Sequence, residues 1–297
     1  MYTVGSLFTG VGGIDLAFQW AGYTIKWQVE VDDYCTRILE QHWTDVLRFR
    51  DIRGCTGRYG KGWQRYHRLP HVDVIVGGFP CQDISQAGRG AGLTGRRSGL
   101  WYEFARIISE LRPRVVLLEN VAALTFKNRG GTEVIGTLTE MGYSTSWGII
   151  SASDAGAPHL RKRWFCVAVA YTESQRMERL WATRQQKSRL QSKSSISGCD
   201  GAGSRTENRG AQSRVDRSID GLSCWLDGNQ INNWWQGWPM PLGKEQYDWE
   251  APRTKASKEM PMRKKRIKAL GNAVVPQVVY PLAVEIKKLL SKYEVDT

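Results

Sequence analysis

Histidine is scarce, with four in 297 residues, and no two of the six cysteines form a Cys-x-x-Cys pair. Zinc ribbons and thioredoxin-like redox sites both need such pairs, so neither is expected and no metal site is predicted. No apolar run reads as the roughly 18–20 residues a membrane span needs. The opening Met1-Tyr2-Thr3-Val4-Gly5-Ser6-Leu7 has no basic region ahead of a long apolar stretch, so no signal peptide is read. The expectation is a cytoplasmic chain with no membrane partner, whose cysteines are mostly buried and inert rather than joined in disulfides. Acid is in deficit: 29 Asp and Glu stand against 42 Lys and Arg, a net charge of +13. That balance suits a polyanionic partner, although a basic chain alone does not establish one.

With 41% hydrophobic and 24% charged residues, the chain suits one large globular domain, or one large and one small. Through residue 171, short apolar β-branched runs alternate with amphipathic stretches. Strands are predicted at Thr3–Phe8, Thr24–Glu30, Val72–Gly77, Arg114–Glu119, Ser144–Ser151 and Trp164–Val169. Helices are predicted between them at Ile14–Trp20, Asp33–His42, Gly99–Leu111 and Thr132–Met141, the third carrying Leu100, Phe104, Ile107, Ile108 and Leu111 at helical spacing. This alternation predicts the α/β class, a doubly wound, mostly parallel sheet covered on both faces. Residues 172–221 turn rich in Ser, Gln, Arg and Gly and read as a mobile insert. Aromatics return between Leu222 and Trp249, and a small irregular second domain over 172–262 is expected. Arg263-Lys264-Lys265-Arg266-Ile267-Lys268 is a basic run, read as either a solvated face or a polyanion contact, within a C-terminal segment, 263–297, that packs back on the first domain. A closing helix is predicted at about Pro276–Leu290, with Val278, Val279, Leu282, Ile286, Leu289 and Leu290 on one face.

Open parallel sheets bind ligands beyond the carboxyl ends of their strands, and the distinctive residues fall there. The first strand runs into Thr9-Gly10-Val11-Gly12-Gly13, a tight turn that admits a ligand close to backbone. It lacks the full dinucleotide fingerprint, because the later glycine falls at Gly13 rather than two residues further on. The second ends in Val29-Glu30-Val31-Asp32, where an acid can accept from both hydroxyls of a ribose. Together they point to a nucleoside-containing cofactor without naming it. The third ends in Gly77-Gly78-Phe79-Pro80-Cys81-Gln82, which holds a thiol rigidly within reach of a substrate. A free thiol titrates near about 8.5, so only a few per cent is thiolate at neutral pH without a positive neighbour. The fourth ends in Leu117-Leu118-Glu119-Asn120-Val121, where desolvation favours a protonated carboxyl able to donate.

Phe8-x-Gly10-x-Gly12-Gly13, Glu30, Asp51-Ile52, Pro80-Cys81-Gln82, Glu119-Asn120-Val121, Arg161-x-Arg163 and Gly271-Asn272, in this order, resemble the cytosine-5 DNA methyltransferase family. The resemblance covers nearly all of 1–170 and 263–290. It implies a Rossmann-like, S-adenosylmethionine-dependent fold, and methyl transfer to carbon 5 of cytosine in double-stranded DNA. Cys81 would attack carbon 6 of a flipped base, Glu119 would bond the ring edge, and Arg161 and Arg163 would hold the base carbonyl and nearby anionic groups. Phe8, Gly10, Gly12 and Gly13 would line the methionine side of the cofactor, Glu30 its ribose, and Asp51 and Ile52 its adenine. Val31, Pro80, Leu100, Asn272, Ala273 and Val274 complete that set. Asn120 and Val121 would shape the base pocket. Gln82, Ser85, Arg89 and Arg97 would reach DNA from a glycine-rich closing loop at 82–97. The implied protein is a monomer, with a restriction endonuclease of the same site as a possible partner.

Some positions depart from the family pattern. His159 stands where glutamine is common, and Lys162 and Trp164 flank the arginines where other residues are usual. Between Tyr171 and Arg263 only Gln236-Gly237-Trp238-Pro239 resembles a family segment, so the target sequence stays open. A transfer-RNA methyltransferase shares the same active-site residues, and a silent DNA-binding regulator could share the scaffold. A nucleotide-binding dehydrogenase would leave Pro80-Cys81-Gln82 and Glu119-Asn120-Val121 unexplained.

Overall fold

The computed structural model describes residues 1–58, 66–80, 99–126, 129–155, 157, 160–171 and 262–295. The predicted site residues Cys81, Gln82, Ser85, Arg89 and Arg97, with His159 and the expected small domain up to 261, lie outside the described residues.

In chain order the elements are β1 (Thr3–Leu7), α1 (Gly13–Trp20), β2 (Thr24–Val29), α2 (Asp33–His42), β3 (Leu47–Phe49), β4 (Cys55–Thr56), β5 (His67–Arg68) and β6 (Val74–Gly77). They continue with α3 (Gly99–Leu111), β7 (Val115–Val121), α4 (Gly131–Glu140), β8 (Tyr143–Ile150), β9 (Arg163–Ala170), α5 (Arg263–Asn272) and α6 (Pro276–Val295). Seven strands form one sheet in the order β3-β2-β1-β6-β7-β9-β8. Every neighbouring pair is parallel except those of β9, which runs antiparallel to β7 and β8.

The central strands are apolar throughout because both of their faces are covered. Alternation sends Val74, Val76, Val115 and Leu117 to one core with Ile14 and Phe18 of α1. It sends Ile75, Val116 and Leu118 to the other, with Phe104, Ile107 and Ile108 of α3 and Leu138 of α4. The doubly wound, mostly parallel expectation is therefore met.

An apolar window within Lys264–Lys292, of mean hydropathy 1.3, is long enough by composition to cross a membrane. That corrects the reading that no run approaches a span. In the fold its Val278, Val279, Leu282, Ala283, Ile286 and Leu290 are buried in the core with α1. The three short strands β3, β4 and β5 were not anticipated; two or three residues carry no readable period. The basic run is helical, with Lys264 through Lys268 exposed.

The strand order reverses between β1 and β6. From β1 the chain winds outward through β2 and β3; from β6 it winds the other way. At such a reversal the loops leave in opposite directions, and a crevice opens beyond the carboxyl ends of β1 and β6.

Candidate active site

One wall of the crevice is the turn after β1. Phe8, Gly10 and Gly12 take left-handed backbone conformations, with φ of 54°, 59° and 83°. A side chain at Gly12 would also strike the Trp43 ring, its Cβ lying 2.5 Å from that ring. At Gly13 the obstacle is backbone, since a Cβ would sit 2.4 Å from the Val274 carbonyl oxygen. The segment between α5 and α6 is thus laid directly on the turn, with the Val274 carbonyl against Gly13.

Glu30, just past β2, closes this wall. Its Oε2 accepts from the Gly10 amide and its Oε1 from the Asp32 amide, both at 2.7 Å. Two amides fix the carboxylate's orientation, and each oxygen keeps a lone pair for a further donor. Asp32 in turn caps α2 through the Tyr34 and Cys35 amides and pairs with Lys268 of α5 at 2.8 Å. The Lys268 hydrogen bond is the largest cause holding its carboxyl down to about 2.

Asp51 and Ile52 lie where β3 ends. Asp51 caps a short 3-10 turn by accepting from the Arg53 amide at 3.0 Å, and its carboxyl pairs with the Arg53 guanidinium at 2.6 Å. The Arg53 hydrogen bond holds Asp51 below the usual carboxylate range. Ile52 is buried in the α3-side core. Phe8 stacks on Phe104, with ring centroids 6.1 Å apart, and Leu100 packs against the same core. Val31 is 66% exposed and Asn272 is exposed at the end of α5, so among the predicted cofactor residues these two are held least by the fold.

The other wall is built by β7 and β9. Their antiparallel register sets Val121 opposite Arg163 and Glu119 opposite Phe165. Glu119 and Val121 share a face, so Arg163 lies diagonally across from Glu119 on that face. Arg163 Nε meets Glu119 Oε1 at 2.9 Å. Even so, burial outweighs the attraction of Arg163 and Arg161 and pushes the Glu119 carboxyl up to about 7. Its second oxygen lies 2.5 Å from where a Cβ on Gly78 would be. The absence of a side chain at Gly78 therefore makes room for this carboxyl, a role that sequence reasoning missed.

Asn120 faces the other way. Its Nδ2 donates to the Phe79 carbonyl at 3.0 Å and its Oδ1 accepts from the Val121 amide at 2.9 Å. It ties β7 to the Phe79-Pro80 lead-in to Cys81, and the Phe79 ring is buried against Trp101 at 5.2 Å. Arg161 bridges the walls: its Nη2 donates to the Gly271 carbonyl at 2.7 Å and to the Ala273 carbonyl. In this arrangement Arg161 clasps the C-terminal segment, while Arg163 serves Glu119.

An acid held by two amides at the end of β2 and a buried acid on β7 thus stand on the two walls, with the Phe79-Pro80 lead-in to Cys81 tied to β7. A family model for C-5 cytosine-specific DNA methylase matches residues 2–219. The chain belongs to this family. The Type II methyltransferase M.DsaV of Dactylococcopsis salina is 34% identical over 163 residues, covering 54% of this chain and 44% of that relative. M.NgoBI of Neisseria gonorrhoeae is also 34% identical, over 169 residues, or 56% of this chain and 50% of the relative. The matches thus span about half the length of these curated relatives or less. The crystal structure of the S. pombe Dnmt2 methyltransferase aligns with a TM-score of 0.47 at 20% identity, over 58% of this chain and 52% of that one.

The two departures beside the arginines have structural explanations. Trp164 is buried opposite Asn120 in the β7–β9 register, where a large apolar side chain fills the α3-side core. Lys162 points to solvent, and its carbonyl accepts from Arg163 Nη1 at 2.9 Å, which helps orient that guanidinium.

Proposed function

We propose that the chain transfers a methyl group from S-adenosylmethionine to carbon 5 of cytosine in double-stranded DNA. The observation that carries this reading is the buried Glu119 carboxyl paired with Arg163, set beside the Phe79-Pro80 lead-in to Cys81. The opposite wall fits the cofactor. The glycine turn admits a close approach, and Glu30 is aimed by two amides with lone pairs to spare for ribose hydroxyls. Phe8, Gly10, Gly12, Gly13 and Val274 would line it, with Asp51 and Ile52 toward the adenine. When bound, S-adenosylmethionine supplies an electrophilic sulfonium methyl group.

Cytosine's carbon 5 is too electron-poor to take that methyl unaided. Addition of the Cys81 thiolate to carbon 6 makes carbon 5 enamine-like and nucleophilic. The negative charge that develops on the ring is met at N3 by the Glu119 proton, while Glu119 also accepts from the exocyclic amine. Arg163 keeps Glu119 turned to the ring, and Val121 borders the pocket. After methylation a base, water in our reading, removes the carbon 5 proton and the thiolate leaves. Carbon 6 is out of reach inside a duplex, so the base is flipped out at a cost of a few kcal/mol.

Residues 172–262 are assigned to target recognition, with Gln82, Ser85, Arg89 and Arg97 on the DNA side. We assign the chain to the cytoplasm as a monomer, with a restriction endonuclease of the same site as a candidate partner. Bisulfite sequencing of a plasmid from cells expressing the chain should reveal methylated cytosines in one sequence context. Methyl transfer to RNA in preference to DNA would overturn the substrate assignment. Glu30→Ala should weaken S-adenosylmethionine binding at least about tenfold, since it removes a charge-assisted acceptor for two hydroxyls. Titration calorimetry reads this directly, and a loss confined to turnover would refute the ribose role.

A further inference from the structure

Behind the glycine turn lies a buried polar chain that the reaction above does not use. Asp15, in the first turn of α1, is 0% exposed. Ser6 Oγ donates to its Oδ2 and Gln28 Nε2 donates to its Oδ1, each at 2.9 Å. Arg48 Nε donates to Gln28 Oε1 at 3.1 Å, and Thr9 Oγ1 donates to Ser6 Oγ at 3.1 Å.

The direction of the Gln28 branch is forced. A guanidinium can only donate, so Arg48 takes the Gln28 oxygen and leaves the Gln28 amide nitrogen to face Asp15. Ser6 spends its one proton on Asp15 and accepts from Thr9. The Ser6 hydroxyl and the Gln28 amide both aim at Asp15, and an ionised carboxylate accepts from both, while Thr9 Oγ1 also lies 3.3 Å from the Ser6 carbonyl and 3.4 Å from the Val29 carbonyl. The branches hold the three pieces of the cofactor wall. Ser6 and Thr9 flank Phe8, Gln28 lies two residues before Glu30, and Asp15 lies two after Gly13.

We propose that Asp15 is a positioning residue for the cofactor: as an ionised acceptor it keeps the Phe8–Gly13 turn in register with Glu30, and its protonation loosens that turn. The proposal rests on the crevice being the cofactor site. A protonated Asp15 must donate through one oxygen. Toward Gln28 it would set donor against donor, and toward Ser6 it would turn that hydroxyl's proton onto Thr9, whose own proton would then move to the longer contacts with the Ser6 or Val29 carbonyl, at 3.3 and 3.4 Å. Burial pushes the Asp15 carboxyl up to about 6, against the opposing hydrogen bonds of Gln28 and Ser6.

The charged groups on the surrounding elements are engaged elsewhere. Arg48 of β3 reaches Asp15 only through Gln28, and Glu30 past β2 turns its oxygens to the Gly10 and Asp32 amides. Asp32 at the head of α2 pairs with Lys268, and Arg50 pairs with Asp33. Lys287 of α6 binds the Ala21 carbonyl at the far end of α1.

The test is titration calorimetry of the full chain with S-adenosylhomocysteine from pH 5 to 8, with circular dichroism reporting the fold. Wild-type affinity should hold above pH 7 and fall through a step near pH 6 to a plateau about tenfold weaker, as Asp15 is protonated. Asp15→Asn should bind about tenfold more weakly at pH 8 and lack the Asp15 step. Thr9→Val, which keeps Asp15, should weaken binding at pH 8 and retain the step. A wild-type profile with no step near pH 6, or an Asp15→Asn profile that matches wild type, overturns the proposal; the first needs no variant to fold. Wild type that fails to bind even at pH 8 overturns the cofactor reading itself, and the proposal with it.

Discussion

A Cys81→Ser chain should bind S-adenosylmethionine as wild type does, yet transfer methyl groups at least about a thousandfold more slowly. Carbon 6 of cytosine needs a soft, readily ionised nucleophile, and a serine hydroxyl at the same position is neither. Cofactor affinity should survive because the groups we assign to it lie on the β1–β2 wall, with Glu30 held by the Gly10 and Asp32 amides rather than by the Cys81 segment. A filter assay with labelled methyl groups measures the rate, and calorimetry measures the affinity. A substantial residual rate would contradict the covalent route.

The second large effect is expected at Glu119. Glu119→Gln keeps an acceptor for Arg163 but cannot deliver a proton to the ring, so turnover should fall about a hundredfold or more. The pH dependence follows from the burial that pushes this carboxyl to about 7. Donation needs the protonated acid, so the wild-type rate should decline as pH rises above 7, through the loss of this proton. The Glu119→Gln substitution should remove that decline, leaving only the rise that comes from Cys81 ionisation.

At high pH the Glu119→Gln substitution should move stability in the opposite sense to activity. The folded-state pKa of Glu119 is raised above the ordinary 4.5 to about 7. The protonated form is therefore the one the fold prefers. Its stabilisation is intact below pH 4.5 and is lost as pH rises through 7, where the buried charge costs up to about 3 kcal/mol. Glu119→Gln should then melt higher than wild type at pH 8 and nearly equal to it at pH 5. Equal melting temperatures at both values would mean that Glu119 is ionised in the fold without penalty.

Much of this architecture is legible in the residues. Val74-Ile75-Val76 and Val115-Val116-Leu117-Leu118 are apolar at every position because each strand is buried on both faces, and that continuity marks a central parallel strand wherever it occurs. The same continuity explains why Glu119 could be read as desolvated: it ends an apolar run, and burial is indeed the largest influence on its proton. Glycines at positions 10 and 12 announce backbone that side chains resist, and both have positive φ.

The pairings across the crevice are different. The Glu119–Arg163 pair exists because β9 enters between β7 and β8 in antiparallel register, and a shift of one residue would turn Arg163 to the other face. Asp15 sits at a helix start where an exposed acid is ordinary; only the closing of β1, β2 and β3 around it makes it the buried end of a hydrogen-bond chain. The return of α6 onto α1 lays the Val274 carbonyl on Gly13 and gives Arg161 two carbonyls to hold. The positions of the central strands were legible in the sequence to within a residue or two, since burial and turn geometry are written in local residue type. Tertiary structure alone decided which groups at their ends meet, because contacts between distant segments depend on strand order and register, which no local pattern encodes.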